Sequence, residues 1–266
     1  MSPATPRMNA ASLDAIVAHL DATLRTPEIP DYGGALNGLQ VANAGTVSRV
    51  AAAVDFSRPA IEGAIAAGAS LLVVHHGMFW NGAQPFVGAA YERMRLLLAH
   101  GLAVYGSHIP LDVHPTLGNN ARLAAVLGLA PSGGFLRYKT IEVGLSGESD
   151  VDTAELAARA TAFAARYGHT TVHTPIAPGR RTRRWGMCSG GGASIDSLRE
   201  ASERGLDTLI VGEGPHHTAV EAVERGIVVI YAGHYATETL GVQALGEEIE
   251  RTFGVPWSFV GEPTGL

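Results

Sequence analysis

Leu13, Ile16, Val17 and Leu20 recur at helical spacing behind Ser12, whose hydroxyl can cap a first turn, so the pattern predicts an amphipathic helix opening at Ser12. Pro27 and Pro30 break it, and the Gly-rich stretch 31–41 (DYGGALNGLQV) reads as a loop. The apolar run Val47–Val54 predicts a strand ending at Asp55, and a helix follows around Pro59–Ala67. Residues 69–74 (ASLLVV) form an unbroken β-type run, the pattern of a strand covered on both faces, as in parallel sheets. His75 and His76 stand at its carboxyl end. A helical pattern over Tyr91–His100, stopped by Gly101, and a buried strand over Leu102–Tyr105 complete a βαβ unit.

The order then recurs. Leu198–Arg204 reads as a helix closed by Gly205, Asp207–Val211 as a strand, Thr218–Arg225 as a helix closed by Gly226, and Ile227–Tyr231 as a strand. ASLLVVHHG parallels LDTLIVGEG, placing His76 on Glu213; HGLAVYGSHIPLD parallels RGIVVIYAGHYATE with one inserted residue, placing His108 on His234 and Asp112 on Glu238. Gly caps and apolar strands are shared by many βαβ units, but both copies also carry H-x-x-x-[DE] just after a buried strand. The expectation is an α/β fold of two similar, intertwined units made by internal duplication, with approximate limits 1–129 and 130–266. The C-terminal strand is free to pair with the first unit. A metal site is expected between the units at the carboxyl ends of strands, where α/β sheets gather their ligands. Between the repeats, residues 130–184 predict an extra strand (Thr140–Leu145), a helix (Val151–Tyr167) and a polar loop with Arg180, Arg181, Arg183 and Arg184. That loop reads first as a solvated turn and second as an anion site.

Composition narrows the class. The chain has 266 residues, 46% hydrophobic and 17% charged, which excludes disorder and suits extensive burial. A net charge of −6 offers no basic field for general nucleic-acid binding. The single cysteine, Cys188, excludes an internal disulfide. No stretch approaches the ~18 apolar residues of a membrane span, and the start lacks an apolar signal region, so a cytoplasmic protein is expected.

Seven of the eleven histidines fall in four windows after buried strands: His75 and His76, His108 and His114, His216 and His217, and His234. His19, His100, His169 and His173 read as hydrogen-bonded core residues. Neutral imidazole is the commonest protein ligand of transition metals, and the carboxylates four residues after His108 and His234 complete an N/O donor set. Consecutive side chains of a strand point to opposite sides, so His75 and His76 favour two ions, with Asp112 and Glu238 as candidate bridges. A single His₂–carboxylate site is the rival. Gly190, Gly191 and Gly192 fit either a phosphate-binding turn or a plain tight βα turn. Glu213, His216 and His217 could move protons, and Glu213 could equally pair or cap.

The segments NGLQV (37–41), VVHHGMFW (73–80), SHIPLDVHPTLGNNARLA (107–124), GEGPHH (212–217) and GHYATE (233–238) resemble those of the Ngg-interacting-factor-three-like family, short form. Many of its members are labelled GTP cyclohydrolase I type 2 homologues and described as dinuclear-metal-centre hexamers. The resemblance implies His75, His76, Asp112, His234 and Glu238 as metal ligands, with His108 and His114 behind them or in proton transfer. It also implies a homo-hexamer. Similar short forms often carry Lys where this chain has Asn81. The function expected is a dinuclear-metal hydrolase acting on a small substrate of nucleotide or phosphoester type. It would use two divalent ions (Zn, Fe, Mn, Ni or Co), with His108 or Glu213 as proton shuttle. The alternative is a metal-binding or regulatory scaffold without turnover.

Overall fold

In the computed structural model, which describes residues 10–80 and 82–265, the chain divides into two compact units: Met1–Pro110 with Val242–Glu262, and Leu111–Gly241 with Pro263–Leu266. Both are α/β.

The first unit begins with β1 (Ala11–Ser12) and α1 (Leu13–Leu24), whose first turn is capped by Ser12 Oγ accepting from the Ala15 N–H at 3.4 Å. It continues through β2 (Gly38–Val41), β3 (Thr46–Val47), β4 (Val50–Asp55), α2 (Arg58–Ala66), β5 (Leu71–His76), α3 (Ala89–His100) and β6 (Ala103–Gly106). β1 and β3 form a small antiparallel ladder. The main sheet contains β4, β5 and β6 in parallel, with β2 antiparallel on the β6 edge; the C-terminal strand, Trp257–Phe259, pairs parallel with β4. Leu71, Leu72, Val73 and Val74 are wholly buried, as their unbroken apolar run predicts. One face of the sheet closes over Ile61, Ala64 and Leu97 of α2 and α3.

The chain leaves this unit inside α4 (Ile109–Asp112). The second unit runs through α5 (Asn119–Leu127), β7 (Gly133–Tyr138), β8 (Ile141–Asp152), α6 (Thr153–Ala164), β9 (Val172–His173), β10 (Arg181–Cys188), α7 (Ile195–Glu203), β11 (Thr208–Val211), α8 (His216–Glu224) and β12 (Val228–Tyr231). α9 (His234–Phe253) then carries the chain back to the first unit, which it completes with β13, the strand at Trp257–Phe259. β10, β11 and β12 are parallel, β9 is antiparallel on the β12 edge, and the β7–β8 hairpin extends the sheet beyond β10.

The repeat is therefore topological. In each unit a helix precedes an edge strand antiparallel to the third parallel strand, and strand, helix, strand, helix, strand follow: α1–β2–β4–α2–β5–α3–β6 and α6–β9–β10–α7–β11–α8–β12. Several local expectations change. Residues 38–41 of the Gly-rich loop pair as β2, and the run 47–54 is interrupted between β3 and β4. The extra strand is the long β8, with a hairpin partner that its sequence did not suggest. Arg181, Arg183 and Arg184 lie on β10, where Thr182 and Trp185 are buried and the arginines are exposed, the register shifting between Thr182 and Arg184. The first unit ends at Pro110, before the expected limit at 129, because Leu123, Ala124 and Leu127 of α5 pack with Phe163, Trp185 and Ile210. No helix among the described residues is long and apolar enough to cross a membrane.

One glycine gives a test of packing within the first unit. Ala exceeds Gly by roughly 1 kcal/mol in a helix interior, so Gly246→Ala in α9 would ordinarily stabilise. Here a Cβ at 246 would run into the Trp257 indole. The expected result is a lower midpoint of chemical unfolding for Gly246→Ala, with the sign restored in Gly246→Ala/Trp257→Leu.

Candidate functional site

In the first unit, His75 and His76 are the last two residues of β5, and His108 follows the end of β6. Adjacent strand residues are expected to diverge. Because this pair stands where the strand ends at Gly77, the two rings instead come to a centroid separation of 4.8 Å, and His108 lies 4.9 Å from His75. One candidate ligand atom from each of His75, His76 and His108 falls within 4.8 Å of the other two. His75 is buried, and the side chains of His76 and His108 are only 14% and 12% exposed.

Each ring is held from behind. His75 Nδ1 donates to Ser107 O at 2.9 Å, His76 Nδ1 to Asp55 Oδ1 at 2.8 Å, and His108 Nδ1 to Asp31 Oδ1 at 2.8 Å. Carbonyl and carboxylate oxygens only accept, so each Nδ1 carries a proton and Nε2 is the atom left to offer a lone pair. That is the wiring of metal-bound histidines, in which a carboxylate or carbonyl fixes tautomer and ring orientation.

Asp31 does more than hold His108. Its Oδ2 also accepts from Ile109 N at 2.9 Å and from Asn37 Nδ2 at 2.8 Å, while Asn37 Oδ1 accepts from His108 N at 2.8 Å. Burial pushes the Asp31 carboxyl up, but hydrogen bonds and charge from His108, with those from Asn37 and the Tyr32 N–H, outweigh it and hold the pKa below its ordinary value. Gln40 stitches the same region together: Oε1 accepts from Met78 N at 2.7 Å, and Nε2 donates to Ala35 O and Leu36 O.

In the second unit, Asp112 ends α4, and its Oδ1 accepts from Asn119 Nδ2 at 2.8 Å and Ser189 Oγ at 3.2 Å. His234 and Glu238 share one face at the start of α9, with His234 Nε2 3.2 Å from Glu238 Oε2. His234 Nδ1 donates to Glu213 Oε1 at 2.8 Å. Glu213, considered for proton transfer, thus stands behind His234 as its orienting carboxylate. Burial lowers the pKa of His234, but Glu238 and then Glu213 outweigh it and raise it to about 9. Burial pushes the Cys188 thiol up, and the charges of both Asp112 and Glu238 add to the effect, so these two carboxylates share one neighbourhood.

The triple glycine belongs to this floor. Gly190 has φ +61°, and a Cβ there would run into Glu238 Oε1 and lie 3.2 Å from His234 Nε2. Gly190 N donates to Thr237 Oγ1 at 3.0 Å, and Gly190 O accepts from Gly192 N and Glu213 N at 2.9 and 2.8 Å. Of the two readings, the tight turn is the one these bonds describe.

The other candidates are dispersed. His114 Nδ1 accepts from Thr116 N and Leu117 N and so shapes a turn. His216 and His217 are exposed at the start of α8. His19 pairs with Glu248 at 2.8 Å, whereas His100 and His173 are exposed surface residues and not core. Arg180 donates to the carbonyls of Asp207 and Gly226, and Arg181 and Arg183 pair with Asp150 at 3.0 and 3.6 Å, so three of the four arginines are engaged in structure. Asn81 lies outside the described residues. Sequence reasoning missed Asp31, Asn37, Gln40, Asp55, Asn119 and Ser189; Asp55, at a strand end in register with His76, offered the clearest signal.

The Duf34/NIF3 (NGG1p interacting factor 3) family profile matches residues 11–262. The chain belongs to this family. A GTP cyclohydrolase 1 type 2 homolog of Deinococcus radiodurans is 39% identical over 255 residues, covering 95% of this chain and 94% of its own. The homolog of Halobacterium salinarum is 41% identical over 242 residues, covering 90% and 94%. Among solved NIF3-like folds, the protein ybgI, of unknown function, superposes with TM-score 0.85 at 33% identity over 96% of this chain and 100% of its own. TTHA1606 from Thermus thermophilus gives 0.80 at 34% over 96% and 100%.

The His234 environment sets the sign of a pH effect in metal-free protein. Its pKa rises from 6.5 to about 9 on folding, so its stabilising contribution is complete below about 6.5 and is lost as pH climbs through 9. The stability margin of the wild type over His234→Asn, read by urea unfolding, is expected to shrink between those pH values. A margin that widens toward pH 9 contradicts the assignment.

Proposed function

We propose that this NIF3-family chain is a metal-dependent hydrolase holding two divalent ions on His75, His76, Asp112, His234 and Glu238, and acting on a small nucleotide-like or phosphoester substrate. The observation that carries the reading is the common wiring of the imidazoles: each holds Nδ1–H against an oxygen acceptor, so Nε2 is the atom left for an ion, which at His234 would displace the proton shared with Glu238. Nitrogen and carboxylate oxygen together suit Zn, Fe, Mn, Ni or Co. Asp112 and Glu238 supply the charge that two cations require.

Bound ions would supply Lewis acidity and a nucleophile at neutral pH. The chain's own contribution is orientation and proton movement. His108 is held by Asp31 with its Nε2 beside the His75–His76 pair, so it can accept a proton there and return it to a leaving group. Glu213 orients His234. Gly190 leaves room for the Glu238 carboxylate. The family resemblance further supports a homo-hexamer, for which light scattering of the purified protein is the check; a stable monomer at micromolar concentration contradicts it.

Elemental analysis of loaded protein is expected to give two ions per chain, and Glu238→Gln to weaken both together. Asp112→Asn should lose metal and activity. His108→Ala should keep its metal while the rate falls by about 10²-fold or more, the usual contribution of a positioned acid–base group. Retained metal with no turnover on nucleotides, phosphoesters or cyclic amides favours the scaffold reading. One ion per chain ends the dinuclear one.

A further inference from the structure

Two large aromatic side chains of the first unit remain in water beside the histidine cluster. Tyr32 is 55% exposed and Trp80 39% exposed. The Trp80 ring stands 4.5 Å from His108, nearly edge-on at 70°, and 4.9 Å from His76; Tyr32 lies 5.8 Å from His108 and 6.1 Å from Trp80. Nothing in the proton-transfer scheme uses either ring.

Both are mounted on braced loops. A Cβ at Gly34 would come within 2.8 Å of Trp80 O and 2.9 Å of Phe79 O, so the Tyr32 loop and the Trp80 turn meet backbone to backbone. Gln40 occupies the space over Gly77 and accepts from Met78 N, fixing the turn that precedes Trp80. Asp31, the neighbour of Tyr32, is anchored to His108 and Ile109. Exposed aromatics on flexible loops lose freedom when they bind; these have been ordered by the fold already. Solvated indole and phenol faces next to a buried polar cluster are the kind of exposed apolar surface that marks a ligand site.

We infer that Tyr32 and Trp80 are the recognition residues of the site and that they select a substrate carrying a planar, conjugated ring, which stacks on Trp80 and is edged by Tyr32 while its reacting group meets the histidines. The inference rests on reading the histidine cluster as the reacting site. Stacking suits a flat ring because the ring quadrupoles favour offset and edge-to-face geometry, and a base on an aromatic side chain gains roughly 1–3 kcal/mol, equivalent to about five- to 150-fold in affinity. A saturated sugar phosphate gains none of this directional term.

Calorimetric titration of metal-loaded protein with guanosine, adenosine and uridine 5′-monophosphates, against ribose 5-phosphate, tests it. At least one nucleotide is expected to bind about tenfold or more tightly than ribose 5-phosphate, and Trp80→Ala and Tyr32→Ala to erase most of that advantage. Trp80→Phe should keep part of it. Equal binding of ribose 5-phosphate, or an unchanged preference in Trp80→Ala, overturns the inference. So does a Trp80→Ala variant whose sedimentation coefficient changes, because the ring is then a contact between copies. Metal is measured in every sample: bound metal without ring preference overturns this inference alone, and failure of the wild type to take up metal overturns the proposed function with it.

Discussion

An imidazole offers its lone pair in a chosen direction only when its other nitrogen is held. In this chain that requirement is met four times, by Ser107 O for His75, Asp55 for His76, Asp31 for His108 and Glu213 for His234. Each acceptor comes from a segment remote in sequence from its ring, so the site cannot be assembled from one loop. Parallel strands solve the problem because they end at the same edge: β4 brings Asp55 beside the end of β5, in register with His76. The unbroken apolar runs that bury these strands are therefore what aims the polar residues at their tips.

The duplication reuses one frame with different wiring. At corresponding positions at the carboxyl end of the second parallel strand, one unit carries an imidazole, His76, and the other, just past β11, an orienting carboxylate, Glu213. After the third strand both carry a histidine, but His108 takes its support from the N-terminal loop through Asp31, whereas His234 takes it from Glu213 within the repeat. A repeated backbone thus fixed where chemistry can stand. The side chains decided which half of each hydrogen-bonded pair stands there.

The strands, the main helices and the histidine clusters were legible because they rest on local signals: apolar continuity, Gly at helix ends and the spacing of H-x-x-x-[DE]. What sequence left hidden is non-local. Asp31 and Asn37 sit in a Gly-rich segment that looks like an ordinary loop, and only the fold brings them to the backbone of His108 and Ile109. β7 was unreadable because two glycines open it and its partner β8 is only half buried. The arginines misled because β10 buries Thr182 and Trp185 between and beside them, so a charged run conceals a strand. α5 looked like part of the first repeat because chain order suggests it, although its apolar face belongs with Trp185 and Phe163.

The pairing of the last strand with β4 has a consequence for the order in which the protein is made. Among the described residues the outer edge of β4 is paired by Trp257–Phe259, so its partner is synthesised only after the run 111–241 that builds the second unit. Nearly all of the second unit, residues 111–241, has left the ribosome before that edge can close. Until then the nascent first unit displays unsatisfied backbone groups on a strand whose side chains, Val50–Val54, are all apolar and buried in the finished protein. The brief length of β4, six residues, and its three consecutive alanines limit how much sticky surface is on show during that interval.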